Sequence, residues 1–285
     1  MSWRQLLRLT RLPTLAATAA PVLVGGALAA GRQFSWPLWL VMVAVAVLLQ
    51  IGANVINEYA DFHHGLDSRE SAGIAGVLVS GELSAGRVAQ LAVLIFLLAL
   101  GGGLVLVAAR GWPLLAMGLL AAAGNGLYSL GPRPLSASVV GEAWVFWLMG
   151  PLEVIAVQLA ASGQVTVGGL LAGVAVGLLT AAILVANHLR DRTQDLAKGR
   201  RTLVGRLGER RGKVLLIILA ATGVVLPALW MLLGALPPWS ALSLLALPLV
   251  GGLYRETEST RLLPSAARID LIVGGVLALG ILIGR

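Results

Sequence analysis

Long apolar runs, each closed by a short polar segment, follow one another along the chain. They cover about 14–31, 37–56, 88–109, 113–130, 139–160, 168–187, 214–234, 239–254 and 268–283. None alternates with the period of two that a half-buried strand needs, so a membrane β-barrel is not expected. Each run can cross a hydrocarbon core as a helix with some tilt. The pattern predicts an all-α, polytopic membrane protein of about nine transmembrane helices. The last two runs are short, and Pro248 interrupts the eighth. No linker or shift in composition divides the chain, so 1–285 reads as a single domain. The basic start and Ala27-Leu28-Ala29 look like a secretory signal, but no soluble stretch follows them, and a retained first helix is expected.

Composition agrees with this pattern. Of 285 residues, 58% are hydrophobic and only 12% charged, half the charge of an ordinary soluble domain. Disorder is excluded, because it needs low hydrophobicity and high charge. The 36 glycines suit helices that approach closely within a membrane. With no cysteine, thiolate metal sites, disulfides and cysteine nucleophiles are excluded. The histidines are His63, His64 and His188. A metal site would therefore rest mainly on oxygen ligands, which suits Mg²⁺ or Mn²⁺.

The net charge of +8 would suggest nucleic acid on a soluble protein. Its distribution suggests a membrane orientation instead, and no nucleic-acid partner is expected. With nine spans, every Lys and Arg except Arg32, Arg110 and Arg285 falls on one side. The positive-inside rule makes that side cytoplasmic. The acidic residues gather there too, with Glu142 and Asp270 near cytoplasmic helix ends and Glu153 in mid-membrane. A carboxylate at that depth is costly and functional by default. His63 and His64 read as solvated loop residues. Trp36, Trp112 and Trp239 read as interfacial anchors.

Two polar clusters close the second and sixth runs. The first reads Asn57-Glu58-Tyr59-Ala60-Asp61, and the second Asn187-His188-Leu189-Arg190-Asp191-Arg192-Thr193-Gln194-Asp195. Asn57 and Asp61 lie one helical turn apart, and Asn187, Asp191 and Asp195 repeat that step. The offset from 57 to 187 equals that from 61 to 191, and both helices run the same way. Two four-helix pseudo-repeats plus a ninth helix would set the clusters face to face. Carboxylate and amide oxygens so placed can hold Mg²⁺ that also binds a diphosphate. Arg190, Arg192, Lys198, Arg200 and Arg201 supply cations nearby. Carboxylates at helix C-termini are disfavoured by the helix dipole unless cations neutralise them.

At these residues the chain resembles the UbiA superfamily of membrane prenyltransferases, whose motifs read N-D-x-x-D-x-x-x-D and D-x-x-x-D. Within it, Asn57-Glu58-Tyr59-Ala60-Asp61 with Gly65-Leu66-Asp67 resembles the branch that prenylates 1,4-dihydroxy-2-naphthoate. So do Asn187, Arg190, Asp191, Asp195, Gly199, Thr202 and Leu203, with Arg200 in place of Lys. Weaker likenesses lie at Arg11–Leu15, Pro21–Gly25, Leu78–Ser84, Tyr128, Gly131–Leu135 and Gly141-Glu142. Two departures stand out: Glu58 replaces the usual Asp, and His188 replaces the second Asn of an N-N pair.

The resemblance implies a bundle around a central apolar cavity that holds a prenyl chain. It implies Mg²⁺, with Mn²⁺ as the alternative ion, on Asn57, Glu58, Asp61, Asp191 and Asp195. Asp61, Asp191 and Asp67 would be catalytic. Asn187, Arg190, Lys198, Arg201, Arg133 and Tyr128 would bind substrate. The implied reaction moves a polyprenyl group from polyprenyl diphosphate to 1,4-dihydroxy-2-naphthoate, with loss of CO₂ and diphosphate, in menaquinone biosynthesis. The expected place is a prokaryotic inner membrane, with the site on its cytoplasmic side. A sister enzyme using 4-hydroxybenzoate, homogentisate or haem is the main alternative, and a transporter a remote one.

Overall fold

A computed structural model describes residues 2–31, 33–65, 76–131 and 134–284. Among the described residues there are helices and turns but no strand. Twelve α-helices follow in order: α1 Trp3–Thr10, α2 Ala16–Ala29, α3 Trp36–His63, α4 Ala85–Arg110, α5 Trp112–Ser129 and α6 Gly141–Trp147. Then come α7 Glu153–Ser162, α8 Val167–Ala197, α9 Leu203–Leu207, α10 Glu209–Leu232, α11 Leu247–Arg255 and α12 Ser259–Ile283. Each of the nine apolar runs coincides with helical structure. Six helical stretches are long and apolar enough to cross a membrane, those at 36–63, 85–110, 141–162, 167–197, 209–232 and 259–283. The others fall short for local reasons. α2 has only 14 residues, α5 carries Asn125, Tyr128 and Ser129 in its last turns, and α11 follows a 3₁₀ segment and opens at Pro248.

Burial separates the middle of the bundle from its lipid face. In α8, 72% of the apolar stretch is buried, against 22% in α4. Val93, Leu94, Leu97, Leu98 and Leu104 of α4 point outward, where lipid tails rather than water would meet them. The close approaches around α8 depend on glycine. A Cβ on Gly150 would collide with the backbone of Gly177, and one on Gly173 would sit 2.7 Å from Pro151 Cα. Small residues that admit a neighbouring backbone are the usual way to pack helices in lipid. Between α4 and α5 the chain reverses through Gly111 alone, at φ 84°, a conformation that side chains resist.

A π turn, Leu148–Leu152, joins α6 to α7 and contains Pro151. Its wider winding shifts the helix register, and Leu148, Met149, Leu152 and Glu153 all line one cavity. Asp270 departs from expectation. α12 begins at Ser259, well before the apolar run, so Asp270 lies near the middle of that 25-residue helix rather than at its end. It is fully buried, and neither carboxylate oxygen has a hydrogen-bond partner among the described residues.

Candidate active site

The cavity, about 270 Å³, is lined mainly by α2, α3, α4, α5, the 141–162 stretch and α8. Asn57, Tyr128, Trp144 and Asn187 stand toward one end of their helices. Met42, Leu106, Leu114 and Ala156 form the far, apolar end. From Asn57 to Met42 along α3 is about 22 Å at 1.5 Å per residue. A polar mouth therefore opens on a deep apolar slot. Partway down lie Thr18, Gln50, Thr180 and Glu153, and Thr18 Oγ1 donates to Gln50 Oε1 at 3.4 Å.

Both motifs lie on helix, because α3 and α8 run past the apolar stretches to His63 and Ala197. Asn57 and Asn187, the first residue of each cluster, both line the cavity, and the negative charge of Asp61 acts on Asp195. On α3, Asn57 Oδ1 is buried without a donor. Asp61 makes no hydrogen bond or ion pair among the described residues. The strongest positive charges acting on it are those of Arg200 and Arg11. On α8, Arg190 grips Asp191 with both ends of its fork, at 2.7 and 2.6 Å, and reaches Asn187 Oδ1 at 2.9 Å. Asp195 is buried, and Arg200 Nε stands 3.5 Å from its Oδ1. The unfavourable end of the α8 dipole is thus neutralised by arginines of the same chain.

Glu58, expected among the metal ligands, is spent elsewhere. Its side chain is fully buried and accepts from the backbone N–H groups of Gly76, Val77 and Leu78 at 3.2, 2.8 and 3.4 Å. Arg11 adds a contact at 3.5 Å. Glu58 ties α3 to the segment that follows the first motif, and does not face the mouth. His188 turns the other way from Asn187. It is buried, and its Nδ1 lies 2.9 Å from Glu142 Oε1, joining α8 to α6. Tyr128 lines the mouth, while His63 and His64 are exposed. Asp67 and Arg133 lie outside the described residues.

Two residues matter more in the structure than in the sequence pattern. Arg200, not Arg201, is the loop cation turned inward: it reaches Ser136 O at 3.1 Å, and its charge acts on Asp61, Asp195 and Tyr128. The Arg201 side chain is exposed, and its backbone N–H bonds Ala137 O at 2.9 Å. The signal was available, since Arg200 occupies the motif's Lys position. Arg11 lines the cavity with an unpartnered Nε and is the one described non-glycine residue at positive φ, 48°. Strain of this kind gathers at functional sites. The hint in the sequence was an arginine placed just before the first apolar run.

The oxygen donors suit a hard divalent cation, and Asn57 Oδ1 is a buried acceptor without a donor among the described residues. No three acidic or histidine side chains among the described residues are grouped closely enough to hold a metal as they stand.

The model of the UbiA prenyltransferase family matches residues 18–279. The chain belongs to the UbiA prenyltransferase family. It is a membrane-embedded prenyltransferase, and the transporter alternative falls. Curated UbiA relatives include the 1,4-dihydroxy-2-naphthoate octaprenyltransferases of Mycobacterium tuberculosis and Bacillus subtilis. The first is 37% identical over 83% of this chain and 80% of its own. The second is 30% identical over 97% and 91%. Among solved structures, a UbiA homolog from Archaeoglobus fulgidus bound to DMAPP and Mg²⁺ matches with a TM-score of 0.69. It covers 99% of this chain and 100% of its own at 17% identity, a likeness of fold.

Proposed function

We propose that this UbiA protein transfers a polyprenyl group from polyprenyl diphosphate to 1,4-dihydroxy-2-naphthoate, as a step toward menaquinone. The observation that carries this reading is the pair of facing polar clusters at the mouth of an apolar slot. The names of the curated relatives support the acceptor. The diphosphate belongs at the mouth and the prenyl chain along the slot. The reading takes the mouth as cytoplasmic, the membrane as a bacterial inner membrane, and 1–285 as one domain of two related four-helix halves plus a last helix.

Asn57, Asp61, Asp191 and Asp195 would hold Mg²⁺. Bound there, the ion would offset the charge that develops on the departing diphosphate. Arg200 and Arg11, with Lys198 from the loop after α8, bind the diphosphate oxygens. Asp67 and Arg133 belong to the same proposed set, and Arg201 serves at its outer edge. Tyr128 and Asn187 orient the reacting end. The bond from prenyl C1 to oxygen breaks, and its electron pair leaves with the diphosphate. The electron-rich ring carbon that carries the carboxylate attacks C1. Loss of CO₂ from that carbon returns the bonding pair to the ring. The apolar walls keep water from the allylic cation.

Membranes containing the protein should convert labelled polyprenyl diphosphate only with Mg²⁺ and this acceptor, chosen from a panel with 4-hydroxybenzoate and homogentisate. Carboxyl-labelled acceptor should release labelled CO₂. Product formed from another acceptor alone, or retaining the label, would overturn the assignment.

A further inference from the structure

Arg190 and Asp191 are neighbours in sequence, and adjacent residues on a helix point in different directions. Their bidentate pair forms because the long arginine stem folds back along α8. The same guanidinium reaches Asn187 one turn away. Arg190 therefore covers both oxygens of Asp191 and the amide oxygen of Asn187, which are donors that a divalent ion at the mouth would use. On α3, Asn57 Oδ1 has no partner and Asp61 no arginine pairing among the described residues. The α8 pair is not sealed either. The Arg190 and Asp191 side chains keep 21% and 30% of their exposure, so they can separate without opening the core.

We propose that Arg190 is an exchangeable internal cation. It neutralises the α8 oxygens until a divalent ion takes them, and the displaced guanidinium then binds the substrate's diphosphate. This rests on the Mg²⁺ reading given above. A free ion must compete with a bidentate arginine, so it binds weakly alone. Diphosphate offers the arginine a second planar match for its fork. Each ligand thereby eases the entry of the other, and the coupling is reciprocal. Arg190 acts on the metal by vacating its ligands, which makes it a positioning residue for that step.

The test is Mn²⁺ binding, followed by electron paramagnetic resonance on the purified full-length protein in nanodiscs, with and without farnesyl thiodiphosphate. In Arg190→Gln, Mn²⁺ alone should bind about tenfold tighter than in the parent, and the extra tightening caused by the thiodiphosphate should shrink. Arg190→Lys keeps the charge without the fork and should fall between the two. Asp191→Asn should weaken Mn²⁺ binding in every background. If Arg190→Gln and Arg190→Lys bind Mn²⁺ no tighter than the parent while Asp191→Asn weakens it, the exchange is wrong and the metal site stands. If none of the proteins binds Mn²⁺, the metal reading falls and takes the exchange with it.

Discussion

On α3, Asn57 lines the cavity with its Oδ1 unpartnered and Asp61 makes no hydrogen bond or ion pair among the described residues, while Glu58 is consumed in holding the chain at Gly76–Leu78. On α8, Asn187, Asp191 and Asp195 are all covered by arginines, and the neighbouring His188 is spent on Glu142. The motifs are one pattern at the level of sequence spacing. Physically they divide the work: α3 presents open oxygens, and α8 presents oxygens already balanced by charge. A site built from one open and one self-neutralised half can be stable when empty. Two open halves would put several carboxylates together at helix ends with nothing to offset them.

Substitutions within α3 should break this division most clearly. Asp61→Asn should lower prenyl transfer by at least about 100-fold, the usual cost of losing one group that stabilises developing charge, with an unchanged melting temperature. Transfer at near-parent rates would remove Asp61 from the machinery. Glu58→Ala should do the reverse. It leaves three buried N–H groups and Arg11 without their acceptor, and should cost about 3 kcal/mol of stability, read by thermal unfolding in detergent. An unchanged melting temperature would return Glu58 to the metal.

On the α8 side the effects are smaller and local. The Thr202 hydroxyl accepts from Gly205 N–H at 3.1 Å and starts α9 just after Arg200. Thr202→Ala should cost about 1 kcal/mol and raise the KM for prenyl diphosphate more than it lowers kcat, because the turn that carries Arg200 loses the cap of the helix that follows it. A change in kcat alone would contradict that. Smallest is the link from α1 to the segment after the first motif. Arg8 donates to Glu82 at 2.6 Å and holds its carboxyl below the usual 4.5. A depressed carboxyl stabilises above its ordinary value and ceases to as pH falls through the lowered one. Proteolysis of α1 should therefore be flat from pH 8 to 5 and rise only in more acid buffer.

Much of this was legible from periodicity and spacing. All nine apolar runs found helices, and the two turn-spaced clusters meet at one cavity, because both facts depend only on helix geometry. What escaped depended on distant partners. The fate of Glu58 is decided by amides some twenty residues on, and nothing in N-x-x-x-D spacing reveals them. Arg200 stands at the motif's Lys position and Arg201 beside it, but motif position alone does not say which side chain turns inward. The turn that ties Arg200 to Asp195 and Ser136 decides which faces inward. Asp270 was misplaced because polar residues at the start of α12 hid its first nine residues from a hydropathy reading.

That last carboxyl bears on how the protein is made. A translocon scores each span as it emerges, and an aspartate at mid-helix counts against release into lipid by about 2.5–3.5 kcal/mol. α12 packs its Gly274 against Ala20 of α2 and its Gly280 against the 3₁₀ segment. Partners of that kind are ready only once the earlier spans have gathered. Insertion of α12 should therefore depend on the earlier helices it packs against.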